Sequence, residues 1–390
     1  LADSKKIMVS VIIPLFQGNR YINKQIKQIE AAAKKNRDIG IELLLVSDDP
    51  ENPIDEELSS DAITIRVDNS DHNRGIQRTR IRGLDIAKGE FIHFLDQDDE
   101  ISPLFYCSQL KLIGNNDVVY CRGYFDRRPI YDDERKFEES FSKCGILSRP
   151  PMGSPGQALI RRDSISEFWK SHTLEFNGAD DYMLWLCMFA EGRSFVRNEE
   201  YLYRHVYTGV NASDDLYKCR KSDQEMVDLL INAGIYKGDD ATKLSKFPEE
   251  QFNRKYNVQK RRQIILSVLE RLLRYDETDN GLAEILKRDG IRSVAIYGAS
   301  LLGERIKSIL SRKGIKVEFF IDRNADYLKE DISVYNLNAS PFVEIDAVII
   351  SLVNHEEKVK AAIEDKYKIP VYLTREIAER ISEDEIEWNC

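Results

Sequence analysis

Short apolar runs alternate with polar stretches of helical period along most of the chain. IMVSVIIPLF is rich in β-branched residues and predicts a buried parallel strand ended by Pro14. NRYINKQIKQIEAAAKK follows with Ile22, Ile26 and Ile29 at helical spacing, and Asn19 is the expected cap. IELLLVS is a second buried strand that runs into Asp48-Asp49-Pro50, and ITIRVD is a third. IQRTRIRGLDIAK predicts a helix closed near Gly89, and EFIHFL is a fourth strand ending in Asp96, Asp98 and Asp99. Strands alternating with helices predict an α/β layer fold over residues 1–215.

The character changes in 216–289. KYNVQKRRQIILSVLERLLRYDE spaces its apolar residues helically on a charged background, which predicts an amphipathic helical connector with no chemistry of its own. Alternation resumes over 290–390 with RSVAIYGASLLGERIKSILSRKGIKVEFFID, DAVIISL, HEEKVKAAIEDKY and PVYLT, enough for one small doubly wound, Rossmann-like domain.

Composition narrows the function classes. At 390 residues, 42% hydrophobic and 32% charged, the chain reads as two or three soluble globular domains. No apolar run reaches the roughly 18–20 residues of a membrane span. The opening LADSKKIMVSVIIP reads as a strand rather than a signal peptide. The six cysteines show no C-x-x-C spacing and suit free thiols in a reducing compartment. The cytoplasm, or the inner face of its membrane, is therefore the expected location. A formal net charge of -10 speaks against general nucleic-acid binding, and mixed-sign runs such as RKFEES and KCRKSDQ read as solvated surface. Peripheral contact with a membrane surface is compatible with this composition, and nothing in it reports an oligomeric state.

Two strands end in acids, at Asp48 and at Asp96-Gln97-Asp98-Asp99, where open α/β sheets bind ligands. Three carboxylates within four positions repel one another unless a cation compensates them. Oxygen ligands favour Mg2+ or Mn2+ shared with substrate phosphates, where the metal would assist departure of a diphosphate. An isolated Asp-x-Asp is equally a solvated turn. Further on, Asp180-Asp181 in NGADDYMLWLCMFAEG opens an apolar helix. A carboxylate there can serve as general base, or Asn177 or Asp180 can simply cap the helix.

These motifs together resemble the family 2 glycosyltransferases of the GT-A fold. VSVIIPLFQGNRYI is similar to the family's first strand and helix start, and ELLLVSDDPEN to its second strand. HNRGIQRTRIRGLDIAKGEFIHFLDQDD resembles its long run into Asp-x-Asp-Asp, with Asn73, Gly75, Arg80, Gly83, Ala87, Gly89 and Glu90 in matching places. The chain departs from the pattern at Ser47, Asp49-Pro50, Thr79 and Ile81.

The resemblance implies a metal-dependent, inverting transfer of a sugar from a nucleotide-diphosphate donor, UDP first among them. The acceptor would be a saccharide or lipid-linked saccharide, in surface polysaccharide or glycan synthesis. Pro14 would border the base, Asp48 would meet it, Arg80 would build the nucleotide site, and Asp96 would lie near the ribose. Asp98 would be the principal ligand of Mn2+ or Mg2+, Asp181 the base and Asp180 its fallback. Similar loops in the family line the sugar or acceptor, which points to Gln157 in MGSPGQALIRRDSI. In YLYRHVYTGVNAS, Arg204 would neutralise diphosphate charge and His205 would contact metal or phosphate, although the family's histidine often falls one position later.

Gly298-Ala299-Ser300-Leu301-Leu302-Gly303 follows a strand and opens a helix, with Asp322 ending the next strand. This resembles a Rossmann-like turn and makes Gly298, Ser300, Gly303 and Asp322 a second candidate ligand site, although tight strand–helix packing explains the same glycines. A non-catalytic nucleotide-sugar or carbohydrate-binding module and a nicotinamide-dependent sugar enzyme are the alternative readings.

Overall fold

The computed structural model describes residues 7–383 except 37, 56, 127, 132, 209–214, 279–280, 324, 326–332, 342 and 353–355. It divides into two compact units, 1–254 and 255–390.

The first unit is built on β1 (Ile7–Leu15), α1 (Ile22–Lys35), β2 (Gly40–Ser47), β3 (Thr64–Asn69), α2 (Ile76–Ile86) and β4 (Phe91–Phe94). After them come β5 (Glu100–Ile101), α3 (Phe105–Ile113), β6 (Val118–Phe125), β7 (Arg128–Pro129), α4 (Glu134–Glu138) and α5 (Lys143–Ile146). The chain continues through β8 (Ala158–Arg161), α6 (Glu167–Ser171), α7 (Asp180–Ala190), β9 (Phe195–His205), α8 (Leu216–Asn232), α9 (Gly238–Leu244) and α10 (Phe247–Arg274). One mixed sheet runs β3-β2-β1-β4-β8-β6-β9-β5, with β7 paired to β6. β3, β2, β1 and β4 are parallel, so their carboxyl ends share one edge.

Period-two alternation sorts the strand residues into layers. Val9, Val11, Ile13, Leu43 and Leu45 pack with Ile26 and Ile29 of α1 and Phe105 of α3. On the other face Ile12, Leu44, Val46 and Phe94 meet Leu84 of α2, Trp169 of α6 and Trp185 of α7. Met226, Val227 and Leu230 of α8 join that second core, as do Leu244 and Phe247.

Three local expectations are corrected. β1 continues one residue past Pro14, which pairs with Val46 in the parallel ladder. Asn19 caps nothing: α1 starts at Ile22 with no side-chain cap bond, and the Asn19 amide donates to the carbonyls of Asn52 and Pro53. The helix α2 stops at Ile86, before Gly89. Gly89 instead donates its N–H to Ser10 Oγ at 2.8 Å, and a Cβ there would lie 2.6 Å from the Ser10 nitrogen. Glycine serves the close approach of the chain to β1.

In the second unit, α11 (Leu282–Arg288), β10 (Ser293–Tyr297), α12 (Leu301–Arg312), β11 (Lys316–Ile321) and β12 (Val334–Tyr335) precede β13 (Ala347–Ile350), α13 (Glu356–Tyr367), β14 (Val371–Leu373) and α14 (Thr374–Glu383). The sheet runs β12-β11-β10-β13-β14 and is parallel throughout. Its two faces are covered, by Val268 and Leu272 of α10 with α11 and α12 on one side and by Ile363 of α13 on the other. The sequence stretch 216–289 is thus shared, α8 and α9 packing into the first core and the end of α10 with α11 into the second.

Candidate active site

The site forms where the carboxyl ends of β1, β2 and β4 meet the start of α7. Arg80, on α2, is 3% exposed. Its guanidinium donates through Nη2 to Asp96 Oδ1 at 2.6 Å and through Nη1 to Asp180 Oδ2 at 2.5 Å. Burial alone would lower the guanidinium pKa, but Asp180 and then Asp96 hold it above its ordinary value. Ser154 Oγ adds a bond to Asp96 Oδ2 at 3.2 Å.

Asp180 is the first residue of α7, and its carbonyl accepts from Trp169 Nε1 at 2.7 Å. Asp181 follows, half-buried, with its carboxylate against the Tyr182 amide at 2.7 Å. Burial, then the charge of Asp180, pushes its pKa up to about 7 against the opposing pull of Arg80. Neither Asp180 nor Asn177 caps α7, whose N-cap position is Ala179 with no side-chain bond. Asn177 Oδ1 instead accepts the amide of Ile76 at the start of α2, at 3.3 Å. Gly75, in the left-handed region at φ 88°, brings the chain so near that a Cβ would lie 2.8 Å from Asn177 Oδ1.

On the other side of Asp96 the acids divide their work. Asp99 is fully buried, accepts from Tyr203 Oη and from the Val206 amide at 3.1 Å, and lies 3.0 Å from His205 Nδ1. Burial would lower the His205 pKa, but the bond to Asp99 and its charge raise it. The antiparallel pairing of β5 with β9 sets Glu100 opposite Arg204 and so carries His205 to Asp99. Burial, then Asp99 and Asp96, raises the Asp98 pKa to about 6. Arg204 is itself exposed and pairs with Glu100 at 3.0 Å.

A divalent cation fits this donor set. Among the described residues no three His, Cys, Asp or Glu side chains form a cage that would hold a metal alone. Mg2+ and Mn2+ sites commonly use one or two carboxylates and leave the remaining positions to phosphate and water. Asp98 is half-buried among like charges that raise its pKa, and a bound cation would offset them. His205 has the orientation that a carboxylate on one ring nitrogen commonly confers on a metal-binding imidazole.

Other expected residues have structural work as well. Asp48, 4% exposed, accepts the amides of Arg74 at 2.9 Å and Gly75 at 2.8 Å, so it fixes the loop before α2. An open pocket of about 460 Å³ beside this loop is lined by His72, Asn73, Arg74, Gly75, Arg78, Glu175 and Asn177. Pro14 is buried in β1. Gln157 is fully buried, with its amide bonded to the Gly153 N–H at 2.7 Å and the Cys121 carbonyl at 2.8 Å. It anchors the 152–157 loop from within.

Several contributors carried no sequence signal. Gln97 donates to the Phe16 carbonyl and accepts its N–H, at 3.2 and 3.1 Å, clasping the loop after β1 to the acidic turn. Ser222 Oγ and the carboxylate of Glu225, both on α8, take the amides of Ala179, Glu175 and Phe176 and so hold the approach to Asp180.

In the second unit Gly298, Ser300, Gly303 and Asp322 come together at the carboxyl edge of β10. Asp322 Oδ2 accepts the Ala299 amide at 3.0 Å, and a Cβ on Gly303 would lie 2.1 Å from the Gly298 carbonyl oxygen. Packing of α12 on the turn accounts for Gly303.

Residues 10–169 match the family described as glycosyl transferase family 2. The chain is 32% identical over 236 residues to the GalNAc(5)-diNAcBac-PP-undecaprenol beta-1,3-glucosyltransferase of Campylobacter jejuni, covering 57% of this chain and 74% of that one. This protein belongs to glycosyltransferase family 2.

A second relative of this family 2 glycosyltransferase is the putative glycosyltransferase EpsH of Bacillus subtilis, 31% identical over 216 residues. That match covers 50% of this chain and 60% of EpsH. Among solved structures, S. aureus TarS 1-349 in complex with UDP-GlcNAc has a TM-score of 0.48 and 17% identity, over 63% of this chain and 73% of that one. The family match spans β1 to α6, including Asp48, Arg80 and the acidic turn, and stops short of α7.

Proposed function

We propose that this protein transfers a sugar from a nucleotide-diphosphate donor, UDP-sugars first, to a saccharide or lipid-linked saccharide hydroxyl, with inversion. The observation that carries the reading is the meeting at Arg80 of Asp96 and Asp180, 16 and 100 positions away in sequence, with Asp181 beside them. The name of the Campylobacter relative, a glucosyltransferase for a PP-undecaprenol saccharide, supports a lipid-linked acceptor.

In this reading Asp181 takes the proton of the acceptor hydroxyl as that oxygen attacks the anomeric carbon and the bond to the nucleoside diphosphate breaks. A carboxyl pushed up to about 7 is matched to that task near neutral pH. Arg80 holds the Asp180 carboxylate in place, so the turn that carries Asp181 is set before substrate arrives. Asp96, oriented by Arg80 and Ser154, faces the ribose, and the Asp48-bound loop together with Pro14 and its neighbours borders the base. Asp98 and His205 would hold Mn2+ or Mg2+, which when bound offsets the negative charge of the departing diphosphate. Arg204, held by Glu100 across the β5–β9 pairing, would add positive charge at the same edge.

The test is thermal stabilisation of the full chain by a panel of nucleotide sugars with and without Mn2+, followed by nucleotide release on adding saccharide acceptors. Metal-dependent stabilisation by at least one nucleotide sugar, and release that requires Asp181, is expected. Absence of any such stabilisation would overturn the proposal.

A further inference from the structure

Between Gln251 and Leu269 the sequence holds Arg254, Lys255, Lys260, Arg261 and Arg262 and not one Asp or Glu, in a chain whose formal net charge is -10. That stretch lies on α10, and its packing fixes which side faces outward. Val268 and Leu272 enter the core of the second unit at 5% and 0% exposure. With 3.6 residues per turn, Lys255, Val258, Arg262, Leu266 and Leu273 all fall within an arc of about 80°, which Leu269 shares while packing partly against the core. Of these, Val258 is 46%, Leu266 64% and Leu273 57% exposed.

Single exposed leucines are ordinary. Three large aliphatic side chains on one helical stripe, headed by two cations from an acid-free segment of an acidic protein, call for an anionic and apolar partner. A nucleic acid would answer the cations and leave the leucines in contact with water. A second copy of the helix would cover the leucines, but the acid that borders the stripe, Glu270, pairs with Arg274 on its own helix at 2.6 Å, and Glu249 pairs with Arg220 at 2.6 Å. An anionic phospholipid surface answers both, taking the aliphatic side chains into the headgroup boundary and the cations at the phosphates.

We propose that the Lys255–Leu273 face of α10 docks this protein on anionic phospholipid bilayers. The face is independent of the transfer chemistry, and its test uses no turnover. The full chain is floated with vesicles of phosphatidylcholine alone and of phosphatidylcholine with an equal part of phosphatidylglycerol. Flotation with the anionic vesicles is expected, weakened by added salt. Lys255→Glu with Arg262→Glu, and separately Leu266→Asn with Leu273→Asn, should each reduce it by roughly tenfold. An unchanged circular dichroism spectrum and thermal transition identify folded variants, and the single Arg262→Gln change supplies a milder one.

No flotation with anionic vesicles overturns the proposal, as does equal flotation with both vesicle types. So does loss with the charge variant alone accompanied by binding of a single-stranded oligonucleotide, which would mark a polyanion face. A concentration-dependent dimer in light scattering that Leu266→Asn abolishes would assign the face to a second copy instead.

Discussion

Arg80 Nη1 lies 2.5 Å from Asp180 Oδ2, so a helix residue of the first half of the sheet reaches the opening residue of α7 across 100 positions of sequence. Its other nitrogen holds Asp96 at 2.6 Å. One buried cation thereby ties the end of β4 to the turn that presents Asp181.

Arg80→Ala leaves Asp180 buried without its cation, and breaking a buried pair costs about 3–5 kcal/mol. Urea denaturation should show a loss of that order. Arg80→Lys should recover only part of it, because an ammonium cannot offer two carboxylates the fixed fork of a guanidinium.

Asp181→Asn should lower kcat by about 10²–10⁴ while the donor KM changes little. The native enzyme should lose activity as pH falls through about 7, where Asp181 gains its proton, and the residual activity of the variant should lack that inflection. A native profile flat between pH 6 and pH 8, roughly one unit either side, would remove Asp181 from the role.

The same residue predicts a stability effect of opposite sign. A carboxyl raised in the folded state contributes stability that is present below its unfolded pKa and lost as pH rises through about 7. Asp181→Asn should therefore be more stable than the native protein above pH 7, by on the order of 1 kcal/mol or more. Below about pH 4, where the carboxyl is protonated folded and unfolded, the gain should vanish. Thermal melts across that range read the difference.

Asp98→Ala should abolish the Mn2+-dependent part of donor binding in calorimetric titration. Folding should be little changed, because Asp98 is half-buried among Asp99 and Asp96 and removing it relieves repulsion. Retention of full Mn2+ stimulation would move the metal elsewhere.

Gln97→Ala removes both bonds to the Phe16 backbone. At about 0.5–1.5 kcal/mol for each hydrogen bond, the donor KM should rise roughly tenfold while kcat stays near native. A fall in kcat alone would mean that the clasp acts on the chemical step.

Much of the first unit was legible because its strands are buried on both faces. Runs such as IELLLVS have one stable use, and their acidic ends mark the ligand edge of the sheet. The acids at Asp48, Asp96 and Asp98 were visible for that reason, and Asp181 was visible as the opening of an apolar helix. Their partners were not. Asn177 was expected at its own helix and serves α2, and Gln157 was expected at a ligand and serves the core. A polar side chain looks the same in sequence whether it meets solvent, a ligand or a distant amide.

The stretch 216–289 shows the same limit on a larger scale. Helical period identified α10, but neither α8 nor the way its Ser222 and Glu225 steady the segment before Asp180. Period reports which face of a helix is apolar and is silent about which amide a polar residue on the other face will find.

The sequence alone determined the alternation from β1 to β4, the family, and the ends of strands at which acids gather. These follow from local burial patterns and residue type. Only the tertiary structure decided that Asp180 is the partner of Arg80, that Asp99 holds His205, and that Asp181 is left as the carboxyl with a raised pKa. Those assignments depend on α7 docking against α2 and on the register of β5 with β9, contacts between residues about a hundred positions apart that only chain folding brings within hydrogen-bond reach.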